Sequence, residues 1–386
     1  MKKVIVLIVL SFFYKNFAQN AENRVITTGV PFLLISSDAR ASGLGDMGVA
    51  TSADAFSQQW NPAKYAFASN KLGFSASYTP YLVELANDIA LGEVTFYNRF
   101  EERQAIAASL RYFSLGEIQL TDLTGNSLGS VEPNELALDV SYALKLSETF
   151  STSVAARFIR SQLRIPDAQG DASAANTFAF DISAFYQSEE AAYGDINGKW
   201  RLGLNLQNLG PKINYDSNIS DAQSNFLPAN MRLGGGFDFI FDDYNKITLT
   251  AEVAKLLVPT PGRDLNGDGV FNSLDISEYK QINWVSGIFQ SFGDAPDGFA
   301  EEVREMTFSG GVEYSYQNAF ALRLGYFNEH ETKGARKFFS LGAGFKYSSL
   351  NLDVSYLFSS SNVRNPLENT LRFSLTFNFG ESYDDL

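Results

Sequence analysis

From Lys71 onward the chain repeats one unit, a run of about ten residues in which apolar side chains alternate with small or polar ones, closed by a polar break. Leu72, Phe74, Ala76 and Tyr78 begin the series, and Leu202, Leu204 and Leu206 continue it. Phe320, Leu322, Leu324 and Tyr326 form a later run, followed by Leu350, Leu352, Val354, Tyr356 and Phe358. The last run is Leu371, Phe373, Leu375, Phe377 and Phe379, with Arg372, Ser374, Thr376 and Asn378 between. Successive side chains of a strand point to opposite faces, so a period of two gives each strand one greasy face and one wet face.

The runs predict strands near 71–80, 89–98, 103–113, 135–145, 149–163, 176–187, 199–208, 228–241, 245–255, 305–316, 318–327, 337–347, 349–358 and 369–379. That is about fourteen, an even number as in single-chain bacterial outer-membrane barrels. The breaks between them alternate in length. One series is short (99–102, 146–148, 242–244, 317 and 348, with 188–198 its longest member). The other is long (81–88, 114–134, 164–175, 209–227, 256–304, 328–336 and 359–368). This sorting puts every long loop at one end of an up-and-down sheet, as in barrels with short periplasmic turns and long outer loops. A Greek-key sandwich has no reason to sort its loops so. The expected fold is therefore all-β, a transmembrane outer-membrane barrel of about 14 antiparallel strands over residues 71–386, with its long outer loop at 256–304.

The N-terminus reads differently. Lys2 and Lys3 precede the apolar run Val4–Tyr14, and Ala18 precedes Gln19, the order of a secretory signal peptide over residues 1–18. Residues 19–70 do not alternate, yet they carry Phe32, Leu33, Leu34, Ile35, Met47, Phe56 and Trp60. A disordered tail is poor in such residues. The segment is therefore expected to fold into the barrel as a luminal plug, with Trp60 against the inner wall and Asn61 and Pro62 fixing the chain.

Composition changes the picture only at the edges. The 33 Phe and 18 Tyr suit aromatic girdles at the two membrane interfaces. The net charge of -14, which becomes more negative when Lys2, Lys3 and Lys15 leave with the signal, repels nucleic acid phosphate. There is no cysteine, hence neither a disulfide nor a thiolate site.

The sharpest local motif runs from Asp264 to Asp275. Numbered from Asp264, oxygen-bearing side chains fall at positions 1, 3, 5, 9 and 12 (Asp264, Asn266, Asp268, Asn272, Asp275), and Gly269 stands at position 6, where a calcium loop turns sharply. Val270 at position 7 need offer only its carbonyl. A structural Ca2+ in the long outer loop is expected, followed by a helix over Ile276–Phe289. No Gly-x-Ser-x-Gly elbow, His-Glu-x-x-His or phosphate loop is present, so no catalytic residue is assigned and no enzyme is expected. His330 stands alone, and the neighbouring pairs Glu189-Glu190 and Glu301-Glu302 are read as solvated surface.

The stretch Ser37-Asp38-Ala39-Arg40-Ala41-Ser42-Gly43-Leu44-Gly45-Asp46, followed by Ala53-Asp54-Ala55 and Trp60-Asn61-Pro62-Ala63, resembles the start of the PorV family, outer-membrane components of the type IX protein secretion system. The Asn-Pro-Ala element is shared more loosely with long-chain fatty acid transporters, which are similar barrels with an N-terminal hatch. The resemblance implies a carrier that receives cargo from the translocon channel by its C-terminal signal domain and passes it to a cell-surface attachment complex. The alternative it leaves is an outer-membrane transporter of hydrophobic solutes. A lipid conduit needs a continuous apolar path, whereas the inward residues here are largely small or polar.

Overall fold

The computed structural model describes residues 24–122, 124–163, 174–215, 224–361 and 365–380, so the expected signal at 1–18 lies outside the described residues. Fourteen long strands follow one another round a barrel: β1 (Leu72–Pro80), β2 (Ile89–Glu101), β3 (Gln104–Leu115), β4 (Asn134–Ser147), β5 (Phe150–Gln162), β6 (Ala175–Gln187), β7 (Ile196–Leu209), β8 (Asn230–Ile240), β9 (Asn245–Leu256), β10 (Met306–Tyr316), β11 (Phe320–Asn328), β12 (Lys337–Tyr347), β13 (Leu350–Ser359) and β14 (Leu371–Phe379). Each pairs antiparallel with its sequence neighbours, and β1 pairs with β14 from Leu72 opposite Phe379 to Tyr78 opposite Phe373, which closes the sheet. Closure leaves no edge in a solvent that offers no hydrogen bonds.

Burial follows the alternation read from the sequence. Along β6, Thr177, Ala179 and Asp181 are buried in the bore, while Phe178, Phe180 and Ile182 face outward and are exposed. The bore face is charged as well as polar. Arg157 of β5 pairs with Asp181 of β6 at 3.0 Å and with Asp139 of β4, and Arg201 of β7 pairs with Asp238 of β8 at 2.6 Å. Across the barrel Arg323 of β11 joins Glu313 of β10 and Asp353 of β13, each at 2.6 Å. Pairing of this kind offsets the cost of taking each ion out of water.

The strand bounds fall within three residues of those read from the sequence. The departures lie in the connections. The break at 114–134 carries a two-stranded hairpin, Ile118–Thr121 with Ser127–Val131. The longest of the short connections holds a three-residue strand, Ala191–Tyr193, folded onto β7. The single helix expected over Ile276–Phe289 is two helices and begins earlier. With the two short helices of the N-terminal segment, α1 (Ala39–Ser42) and α2 (Ser57–Trp60), they number α3 (Ser273–Gln281) and α4 (Trp284–Gln290), and α5 (Phe299–Arg304) follows. The break at Ile282-Asn283 is made by extended backbone at both residues, with the Asn283 side chain capping α4 through the Val285 N–H.

Residues 24–70 run the length of the bore. Arg24 lies at the long-loop end, where it meets Glu301 of α5 at 3.1 Å. Val30, Phe32 and Leu33 pack against Leu91, Phe113 and Ile159 just below. At the short-turn end Tyr65, Ala66 and Ala68 pack against Tyr97, Ala105 and Ala143, and the chain then enters β1.

Candidate functional site

The N-terminal segment is held to the wall through its own backbone. A short segment with little regular structure leaves many N–H and C=O groups unpaired, and in a bore these need wall partners. The wall supplies them. The Glu252 carboxylate on β9 accepts the N–H groups of Gly48 and Val49 at 2.9 Å each. Ser374 of β14 accepts Ala39 N–H at 2.7 Å, and Ser340 of β12 accepts Gly45 N–H at 3.0 Å. Asn205 of β7 donates to Trp60 O at 2.7 Å, and Ser151 of β5 to Ala63 O at 2.7 Å. Two wall glycines make the approach possible, since a Cβ on Gly203 would stand 2.0 Å from Val49 O and one on Gly325 2.1 Å from Gly45 N.

Trp60, Asn61 and Pro62 are all buried. The indole N–H of Trp60 donates to Asp38 at 2.7 Å, and the Arg232 guanidinium lies 5.0 Å from its ring centre. Asn61 donates to Val49 O and to Ala184 O of β6, both at 3.0 Å, and its carbonyl accepts Ala63 N–H, so one side chain ties two parts of the segment to the wall. Pro62 starts the 3-10 turn Pro62–Phe67, where its missing N–H costs nothing. Arg40 of α1 reaches Asp54 at 2.8 Å and Glu313 of β10 at 3.1 Å. Burial works against the Arg40 charge, but Glu313 and Asp54 outweigh it and hold the guanidinium more firmly protonated than usual. Burial, with Asp54 nearby, pushes the Asp38 carboxyl up to about 6.

Beside the first residues of the segment lies a cavity of about 640 Å³ at the long-loop end. Val25, Ile26, Phe32 and Leu115 line it on one side and Arg232, Lys255, Lys333 and Arg336 on another. These four cations are already paired: Arg232 with Glu252, Lys255 with Glu302 and Glu305, Lys333 with Glu301 and Glu305, and Arg336 with Glu329. Glu301 and Glu302 are thus buried, contrary to the solvated surface expected for them. On α5 adjacent residues turn by about 100°, so one reaches Lys333 while the other reaches Lys255. This cluster fastens the long 257–305 connection to the rim. Sequence reasoning missed it because the lysines come from β9 and from the connection after β11.

The Asp264–Asp275 stretch forms a compact loop. Asp264 accepts the N–H groups of Gly267 and Gly269, both at 2.7 Å, and Gly267 and Gly269 have φ of 77° and 85°. Asp268 accepts the N–H of Val270 and the amides of Asn266 and Asn272. Asp275 has no exposed surface and accepts N–H groups of Leu265, Asn266 and Asn272. Desolvation raises its pKa, but those N–H groups outweigh it and hold the carboxyl below the usual range. With Asn272 it forms a capping box that starts α3. Among the described residues no three Asp, Glu, His or Cys groups converge at metal-ligand spacing. As folded, then, the loop directs its carboxylates to its own backbone, and the Val270 carbonyl accepts the Asn272 amide. His330 accepts or shares a hydrogen with Thr332 at 2.9 Å and meets no nucleophile.

Among solved structures the chain is similar to a Pseudomonas aeruginosa FadL homologue, with 12% identity over 93% of this chain and 100% of that one and a TM-score of 0.43. The Ralstonia pickettii toluene transporter TbuX matches with 12% identity over 90% of this chain and 100% of its own, TM-score 0.45. A deletion mutant of the TodX monoaromatic hydrocarbon channel matches with 10% identity over 88% and 98%, TM-score 0.49. No curated protein sequence matches. The family model described as type IX secretion system protein PorV matches residues 18–263, more than half of the 386 residues. This outer-membrane barrel belongs to the PorV family of the type IX secretion system.

Proposed function

We propose that the protein is a non-enzymatic carrier. It binds secreted cargo through the cargo's C-terminal signal domain, takes it from the translocon channel and delivers it to subunits of the attachment complex, with its long loops facing the cell exterior. The observation that carries this reading is the family match together with a bore that holds a hydrogen-bonded chain segment rather than a path. A transporter of hydrophobic solutes needs a continuous greasy passage, and the wall here interrupts its apolar patches with the paired ions Arg157–Asp181, Arg201–Asp238 and Arg323–Glu313. A carrier needs instead a rigid rim, and the Lys255, Lys333, Glu301, Glu302 and Glu305 cluster supports that role. The reading also includes a structural Ca2+ held by Asp264, Asn266, Asp268, Asn272, Asp275 and the Val270 carbonyl. What supports it is the ligand spacing and the left-handed Gly269.

The test is a crosslinked pull-down of the tagged full chain from native outer membranes, with mass spectrometry, beside a deletion strain. Translocon and cargo signal domains should be captured, and the deletion strain should retain cargo inside with its signal uncleaved. Normal cargo release in the deletion strain, with reduced uptake of hydrophobic solutes, would replace the carrier by the transporter.

A further inference from the structure

The 257–305 connection is charged at both ends, but Ile282–Gly293 (Ile-Asn-Trp-Val-Ser-Gly-Ile-Phe-Gln-Ser-Phe-Gly) has no charged residue. This stretch contains α4, and α4 has two unlike faces. Trp284 and Ile288, one helical turn apart, pack on a cluster of Leu209, Ala229 and Leu257, and Gly287 between them lets Phe226 and Pro259 approach. On the other side Val285 and Phe289, also one turn apart, are exposed, Phe289 to 74%, and Phe292 follows at 51%. A solvated loop helix of a secreted domain keeps polar residues on such a face.

The place of α4 says what covers that face. The packed cluster takes in Leu206 of β7 and Met231 of β8, which share the outward parity of exposed Leu204 and Leu233. The Trp284 ring also lies 6.3 Å from the ring of Phe180, on the outward face of β6. Nearer the long-loop end of β6, Phe178 is still 66% exposed and apolar. Phe180 is five residues into β6, which at ~3.3 Å per residue and a tilt of ~40° is about 12 Å below the strand's end. The connection therefore folds down over the outside of the barrel rather than standing above its mouth. Its helix covers part of the apolar belt and presents new apolar surface at the same depth.

We infer that Trp284–Phe292 is an in-plane membrane anchor, with Val285, Phe289 and Phe292 set in the lipid leaflet on the long-loop side as a continuation of the β6–β8 belt. The occupant is lipid, because the helix packs on the outward faces of β6–β8 and its exposed apolar face continues that lipid-facing wall at the same depth. Such an anchor holds the long connection at a fixed height beside the rim.

The absence of cysteine allows a direct test. Phe289→Cys and Phe292→Cys, each carrying a nitroxide, are reconstituted as full-length protein in phosphatidylcholine vesicles. Spin relaxation by oxygen is compared with relaxation by a water-soluble nickel chelate. Leu204→Cys on the outward face of β7 gives the lipid value, and Leu128→Cys, in the hairpin after β3 and 67% exposed, gives the aqueous one. Heat-modified gel migration establishes that each barrel is folded. The oxygen-to-nickel ratio at both positions should match Leu204 and exceed Leu128 about tenfold, as for a side chain ~5–10 Å below the headgroups. A ratio equal to that of Leu128 overturns the anchor. Aqueous access in vesicles, with shielding from both reagents in native outer membranes, overturns it in favour of a protein cover.

Discussion

Lys64 shows how closely the N-terminal segment is sealed. Its ammonium has no carboxylate partner within bonding distance and donates to Gly48 O at 2.8 Å and Thr51 Oγ1 at 3.0 Å. Burial lowers its pKa to about 8. The unfolded chain keeps that proton to about 10.4, so the folded protein becomes relatively more stable as pH rises from about 8 towards 10 and forfeits that gain below 8. The difference is on the order of 3 kcal/mol. Lys64→Met keeps the length and loses the charge, while Thr51 Oγ1 still donates to Gly48 O. Urea unfolding of the refolded protein between pH 7 and 9.5 should show midpoints that climb with pH in the parent and stay flat in Lys64→Met. The same climb in both would place the titrating group elsewhere. Nothing in the sequence distinguishes Lys64 from a surface lysine, because the Asn-Pro-Ala-Lys turn that buries it is fixed by wall residues distant in the chain, Ser151 and Ala184 among them.

At the scale of elements, legibility tracks the solvent on each face. The strands could be read because one face meets lipid and the other a polar bore, which writes the period of two directly into the residues. The accessory hairpin at 118–131 is largely exposed on both faces, and the alternation of Ile118 and Leu120 is too short to make a run. The Glu301-Glu302 pair was unreadable for another reason, since their partner cations arrive from β9 and from Lys333. The Asp264–Asp275 loop is the element where sequence pattern and folded geometry bear on separate questions. Asp275 already closes the capping box of α3 through the Asn272 N–H and ties the loop through the N–H groups of Leu265 and Asn266, so Asp275→Ala should weaken the start of that helix by about 1 kcal/mol with or without metal. Asp268 lies on the exposed side and accepts two side-chain amides that a cation would displace. Limited proteolysis of the intact protein should therefore show calcium protecting residues 262–276 in the parent, chelator exposing them, and Asp268→Ala cut alike in both. Equal cutting of the parent with calcium and with chelator would mean that its own N–H groups suffice to hold the loop.

For the molecule as a whole, the question is whether the bore can open. The N-terminal segment touches strands all round the barrel: Glu93 on β2 through Ser37, Ser151 on β5, Asn205 on β7, Glu252 on β9, Glu313 on β10, Ser340 on β12, and Arg372 on β14 through Asp46 at 3.0 Å. Moving it as a unit would strand these groups together, and each buried polar group left without a partner costs about 1–3 kcal/mol. No single trigger offsets so many at once, so the barrel should not conduct while the segment is seated. Deleting residues 25–65 removes the occupant and leaves a wall whose ion pairs Arg157–Asp181, Arg201–Asp238 and Arg323–Glu313 are made between strands and survive. The deleted barrel should therefore still fold, with a wet interior. In planar bilayers the parent should show no steady conductance, whereas the deletion should open a stable pore, and cells carrying it should become sensitive to large antibiotics. Folded deletion protein with an unchanged, closed baseline would show that the seal lies in the long connections over the rim rather than in the chain that fills the bore.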